Sequence, residues 1–196
     1  MNDFSKIKLF LQTMSFITED DFGLFEPYLQ TKRIKSKDFF SENNKICREI
    51  GFINSGTFRV FYLLDGKEIN TRFCFESEFV VDYASFLEEK PSKYYIQALS
   101  DTEIITLDLK NLQNTYNKSH NWERFGRVMA ESSYQTTIQR VDDFLFLDGK
   151  QRYEQLLEKE SHILEKVPLY HIASYLGLER ESLSRLRKKL ASKNNS

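Results

Sequence analysis

Residues 167–190 read VPLYHIASYLGLERESLSRLRKKL, and this stretch is the most informative part of the chain. Pro168 suits the first turn of a helix, where its missing N–H would have no partner. Apolar residues then recur on one helical face as far as Leu176. Gly177 follows, at a point where helices commonly end in a left-handed conformation. The pattern predicts a short helix, a turn and then a second helix.

The second predicted helix begins at Glu179 or Arg180 and has two different faces. Leu183, Leu186 and Leu190 share an apolar stripe that would pack inward. The residues that point the opposite way are Glu181, Ser184, Arg185 and Lys188. Two helices that meet at a Gly-containing turn, the second with an exposed basic face, are the layout of a helix-turn-helix that reads DNA.

The charge of this segment differs from that of the rest of the chain. Residues 180–196 contain six basic residues and one acidic residue, a net charge of +5, whereas the whole chain carries −1. Residues 1–179 therefore carry −6. A basic region confined to one element indicates a nucleic-acid interface. The alternative is a solvated amphipathic helix at the end of the chain.

Composition sets the general class of the protein. A chain of 196 residues with 40% hydrophobic content can form two modest domains, or one domain with an appendage. No apolar run approaches the ~20 residues that span a bilayer, and the N-terminus lacks the features of a secretory signal, so we expect a cytoplasmic protein without a membrane partner. Cys47 and Cys74 are too few for a disulfide scaffold, and we expect buried free thiols.

The first half of the chain changes from helical to β-rich. Residues 1–31 are predicted to be helical, with Thr18 as an N-cap before an acidic first turn. Between 33 and 109, short β-rich runs alternate with turn signals. The strongest hairpin signal lies in residues 58–73, where two such runs are joined by Asp-Gly at 65–66. Strands at this interval predict an antiparallel jelly roll.

A helical pattern then continues from about Asn111 to Leu147 and predicts one long helix. Its middle, residues 131–137, is rich in small side chains that would let a second copy approach closely across a two-fold axis. The alternative is a helix that packs on its own β-domain. Gly149 interrupts the pattern, and the predicted α+β organisation is a sensor-like β-roll with N-terminal helices at 1–110, a dimerisation helix at 111–147 and a helix-turn-helix domain at 148–196.

This order of elements resembles the Crp/Fnr family of bacterial transcription regulators. The most specific similarity is IASYLG at 172–177 followed by RESLSR at 180–185, because the family reads base edges with an Arg-Glu-x-x-x-Arg run. The resemblance implies that Arg180, Glu181 and Arg185 read bases. The chemistry agrees, since Arg can donate two hydrogen bonds to guanine and Glu can accept one from cytosine. Weaker contacts, to a phosphate or a neighbouring base, are assigned to Ser182, Ser184 and Lys188.

The family's usual effector is a cyclic nucleotide, held by a Gly-Glu pair and, about ten residues later, an Arg-Ser/Thr pair. In this chain Val81-Asp82 stands at the first position and Ser92-Lys93 at the second. A phosphodiester without the bidentate Arg loses its strongest contact, so we expect no binding of cyclic AMP. Another small ligand, or none, stays open. The effector-pocket residues would be Asp82, Tyr83, Ser92 and Lys93.

The resemblance also implies a homodimer on an inverted-repeat site in double-stranded DNA, and contact with RNA polymerase. The family commonly adds a β-hairpin wing after the recognition helix, but only residues 191–196 are left here. We therefore expect a short or absent wing, with Lys189, Lys193 and the tail taking part of its electrostatic role.

The two alternatives to a DNA-binding regulator are an enzyme and a protein–protein adaptor. A metal-dependent enzyme built on the barrel would need several ligands in the β-rich segment, but His120, His162 and His171 all lie outside it. We therefore predict no catalytic residue, metal or cofactor, and expect His171 at the surface or near a phosphate. The second alternative is a protein–protein adaptor or ligand-binding protein of the same shape without specific DNA binding, since acidic residues at 179 and 181 reduce the positive potential there.

Overall fold

The computed structural model describes residues 3–194. The helices within this range are α1 (Ser5–Gln12), α2 (Glu19–Phe25), α3 (Tyr83–Glu88), α4 (Leu109–Lys118), α5 (His120–Phe146), α6 (Gly149–Lys159), α7 (Ile163–Lys166), α8 (Leu169–Tyr175) and α9 (Arg180–Asn194). The strands are β1 (Gln30–Ile34), β2 (Phe39–Ser41), β3 (Glu49–Ser55), β4 (Thr57–Leu64), β5 (Lys67–Phe75), β6 (Phe79–Val80), β7 (Tyr95–Ala98) and β8 (Thr102–Asp108). Among the described helices, none is both long enough and apolar enough to cross a membrane.

The strands form the predicted antiparallel jelly roll. One four-stranded sheet has the order β1-β8-β3-β6 and the other β2-β7-β4-β5. Apolar side chains from both sheets fill the space between them, among them Phe58, Ile96 and Ile104, all fully buried. Cys47 and Cys74 are buried free thiols, which confirms the prediction for both.

The hairpin predicted at 65–66 joins β4 to β5. Leu64 pairs with Lys67 across the turn. Asp65 has φ 50° and Gly66 has φ 78°, so both central residues adopt the left-handed backbone that a two-residue hairpin turn requires. The hairpin fixes the register of β5, and β5 is the strand against which the C-terminal helices pack.

The predicted helix over 111–147 is wrong in one respect, because the chain forms two helices with a break at Ser119. The backbone of Ser119 is extended, with φ −147° and ψ 122°, and its side chain caps the N–H of Trp122. Its hydroxyl also donates to the carboxylate of Asp21, at 2.5 Å. The break therefore lets the start of α5 pack against α2. The Trp122 indole N–H donates to the Asp21 carbonyl there, at 2.8 Å.

Thr18 acts as the predicted N-cap, but the predicted helical region 1–31 is too long by two residues, because β1 begins at Gln30. Thr18 caps α2 in a reciprocal capping box with Asp21. Asp148 caps α6 in the same way with Gln151, directly after the long helix. Residues 195–196 of the predicted tail, and the side chain of Lys193, lie outside the described part of the structure.

Candidate nucleic-acid interface

The helix-turn-helix consists of α8, a four-residue turn at 176–179 that contains Gly177, and α9. Pro168 immediately precedes α8, and α9 begins at Arg180 as the sequence predicts. The Leu178 N–H donates to the Ala173 carbonyl at 2.9 Å and closes the turn. Gly177 has φ +66°, which is the left-handed conformation that favours glycine.

Gly177→Ala is expected to destabilise the protein by about 1–3 kcal/mol, because the residue would be strained in the left-handed region and its Cβ would lie 2.9 Å from a Phe144 ring carbon. Gly66→Ala is the matched control, since Gly66 has φ +78° but open space around its Cβ position. Urea denaturation should show a larger loss of unfolding free energy for Gly177→Ala. Equal losses would mean that Phe144 moves away without cost.

The two faces of α9 are as the sequence predicts. Leu183 is fully buried in the C-terminal core. The opposite side carries the exposed side chains of Glu181, Arg185 and Lys188, and Arg180 is exposed on its flank. We call these four residues the recognition face. Ser182 and Ser184 are half-buried beside them. Within the part of the chain that the structure describes, no ion pair engages Arg180, Arg185 or Lys188.

The first helix of the motif, α8, packs on strand β5 of the jelly roll. The Ser174 hydroxyl donates to the Glu68 carbonyl at 2.7 Å and accepts from the Asn70 N–H at 3.0 Å. The Arg140 guanidinium of α5 donates to the carbonyls of Asn70 and Tyr175, at 3.3 and 2.8 Å. Apolar side chains of β5 and of the helix-turn-helix also form one common core. This sheet of the jelly roll thus holds the motif, and the recognition face stays exposed.

The position of His171 contradicts the surface location expected for it. The side chain is buried in this contact, and its Nδ1 lies 3.0 Å from the Arg59 guanidinium. Arg59 is itself buried and pairs with Glu68. Burial, together with the nearby Arg59 charge, lowers the pKa of His171 to about 4. A neutral histidine therefore packs between the two domains.

Sequence reasoning missed this contact because its members are far apart in the chain. Arg59 and His171 are separated by 112 residues. One local signal was available: Arg59 stands inside the apolar run of β4, FRVFYLL at 58–64, where an unpaired charge would be costly to bury. A charged residue in such a run indicates a partner elsewhere in the fold.

The structure brings together two of the four residues assigned to an effector pocket. Asp82 and Ser92 are both buried, and the Ser92 hydroxyl donates to the Asp82 carboxylate at 2.6 Å. Tyr83 and Lys93 are exposed at the surface. Within residues 3–194, no group of three His, Cys, Asp or Glu side chains is arranged to hold a metal ion.

Comparison with known proteins agrees with this architecture. Residues 31–119 match the family model of the cyclic nucleotide-binding domain. No curated protein sequence matches the chain. Among solved structures, the chain is similar to FixK2 from Bradyrhizobium japonicum, with 14% identity, a TM-score of 0.74, and coverage of 85% of this chain and 86% of that one.

Two further structures are similar over most of the chain. One is a CooA mutant from Carboxydothermus hydrogenoformans, with 18% identity, a TM-score of 0.69, and coverage of 87% of this chain and 79% of that one. The other is a Crp/Fnr-family protein from Eubacterium rectale, with 17% identity, a TM-score of 0.71, and coverage of 92% and 86%. At these identities the likeness establishes the fold.

The chain therefore joins a domain of the cyclic nucleotide-binding class to a C-terminal helix-turn-helix on one polypeptide. The fold that the resemblance to the Crp/Fnr regulators implies is confirmed.

Proposed function

We propose that the protein is a cytoplasmic homodimer that binds an inverted-repeat DNA site and regulates transcription there. The observation that carries this proposal is the recognition face, where Glu181, Arg185 and Lys188 are exposed on the side of α9 opposite to the buried Leu183 and Arg180 is exposed on the flank. The remainder of the chain is acidic, so the attraction to DNA phosphates is confined to this element.

The residue types of the recognition face suit the reading of bases. Arg180 and Arg185 can each donate two hydrogen bonds to guanine O6 and N7, and Glu181 can accept one from cytosine N4. Lys188 carries a compact charge that suits a phosphate oxygen. Ser182 and Ser184, which are half-buried, are proposed to contact the backbone or a neighbouring base.

An apolar stripe on α5 supports the proposed dimer. Its members, with the exposed fraction of each in the single chain, are Tyr134 (67%), Ile138 (41%), Val141 (48%) and Leu145 (70%). Their spacing of four, three and four residues places them on one helical face. A second copy would cover the stripe by pairing α5 with its symmetry mate. Two recognition helices related in this way would enter successive major grooves about 34 Å apart.

The test is a selection of random duplex DNA by the purified protein, followed by affinity measurements on the enriched site. An enriched inverted repeat is expected. Arg185→Ala and Arg180→Ala should each weaken binding to that site by about 1–3 kcal/mol and weaken binding to random DNA much less. Fluorescence anisotropy over a range of salt concentrations gives both affinities.

Two controls separate base reading from general attraction. Lys188→Ala should weaken binding to both DNAs alike and lower the salt dependence by about one unit of slope. Arg127→Ala removes an exposed cation from the N-terminal half of α5 and should leave both affinities unchanged. Equal losses on specific and random DNA for the Arg185 and Arg180 variants would refute the assignment of these residues to base reading. A selection that enriches no DNA sequence would favour the protein–protein adaptor over the DNA-binding regulator.

A further inference from the structure

Five residues of the β-roll form a buried network of hydrogen bonds, which we call the Asp82 cluster: Cys47, Asp82, Ser85, Lys90 and Ser92. The Asp82 carboxylate accepts from the Ser85 N–H at 3.3 Å with one oxygen and from the Ser92 hydroxyl at 2.6 Å with the other. It thus caps α3 and ties that helix to the segment ten residues later.

The two hydroxyls of the cluster also have their partners within the protein. The Ser85 hydroxyl donates to the Lys90 carbonyl at 2.5 Å and accepts from the Cys47 N–H at 2.9 Å. The Ser92 hydroxyl, besides donating to Asp82, accepts from the Tyr94 N–H at 2.9 Å. Both serines are at most 4% exposed. The polar groups that converge here therefore satisfy one another.

A ligand at this position would have to displace these bonds. Each donor or acceptor that lost its bond would stay buried without a partner unless the ligand supplied a new one. A buried polar group without a partner costs free energy. An anionic ligand would in addition meet the Asp82 carboxylate at close range. The polar groups of the cluster are therefore taken up by one another, and their bonds hold α3 against the roll.

The helix-turn-helix is held on the jelly roll by hydrogen bonds between the protein's own groups. Ser174 holds α8 on β5, and the recognition face is exposed. A ligand can shift a conformational equilibrium only through different affinities for its two states. We propose that the protein binds its DNA site without a small-molecule effector, because the Asp82 cluster closes the β-roll from inside. This inference rests on the proposed function.

The test measures the affinity of the purified full-length protein for the selected DNA site, after native mass spectrometry has determined its ligand content. Affinity is compared with no addition, with cyclic AMP, cyclic GMP or cyclic di-GMP, and with the small-molecule fraction of a cell lysate. We expect the mass of the free polypeptide and affinities that agree within about twofold. A stoichiometric bound compound, or a tenfold gain from any addition, would overturn the inference and leave the proposed function intact. Absence of DNA binding in every condition would overturn both.

Discussion

Ile138→Glu is expected to leave the protein monomeric at micromolar concentration and to weaken binding to the inverted-repeat site by at least about 100-fold. Ile138 lies in the middle of the apolar stripe of α5 and is 41% exposed in the single chain. In a two-fold dimer the new carboxylate would be buried opposite its own symmetry mate, and two unpaired like charges would cost several kcal/mol. A monomer binds only one half-site. It therefore loses the affinity that a dimer gains when binding of one subunit raises the effective concentration of the other at the second half-site.

Sedimentation velocity measures the first effect and fluorescence anisotropy with the selected duplex measures the second. Thr136→Glu is the matched control, because it adds the same charge at an exposed position on the opposite side of α5. This control should remain dimeric and bind DNA like the wild type. A wild-type protein that sediments as a monomer, with or without DNA, would refute the dimer. An Ile138→Glu protein that stays dimeric would show that the dimer interface does not include this stripe.

The features that the sequence predicts correctly depend on residues close together in the chain. The turn at Gly177 follows from a helical period that ends at a glycine, and the hairpin at 65–66 follows from two β-rich runs joined by Asp-Gly. The inward position of Leu183 follows from the same periodicity. Each of these patterns is complete within about twenty residues, so no knowledge of the rest of the fold is needed.

The features that the sequence does not predict depend on contacts between distant segments. The break at Ser119 is stabilised by Asp21, which lies 98 residues earlier, and no helical period reveals that partner. The buried position of His171 has the same cause. Helix α8 is covered on two sides, by its own domain at Ile172 and by β5 at Ser174, so a single apolar stripe underestimates its burial.

The buried contact between His171 and Arg59 makes the stability of the protein depend on pH. The pKa of His171 is lowered to about 4 in the folded protein, by burial and by the Arg59 charge, from an ordinary value of 6.5. Well above pH 6.5 the histidine is neutral in the folded and the unfolded chain, and its full contribution to stability is present. As pH falls from 6.5 towards 4, the unfolded chain binds a proton and the folded chain does not. The free energy of unfolding should therefore fall, by about 2–3 kcal/mol between pH 7.5 and 4.5 from this group alone.

Urea denaturation of the wild type and of His171→Gln at pH 7.5 and 4.5 isolates this effect, since the other titrating groups are common to both proteins. The variant should lose less stability than the wild type over this interval, by the same 2–3 kcal/mol. His120→Gln replaces an exposed histidine on α5 and should follow the wild type. If His171→Gln also follows the wild type, His171 is accessible to protons in solution. The helix-turn-helix would then not stay packed on β5, because only that contact buries the ring against Arg59.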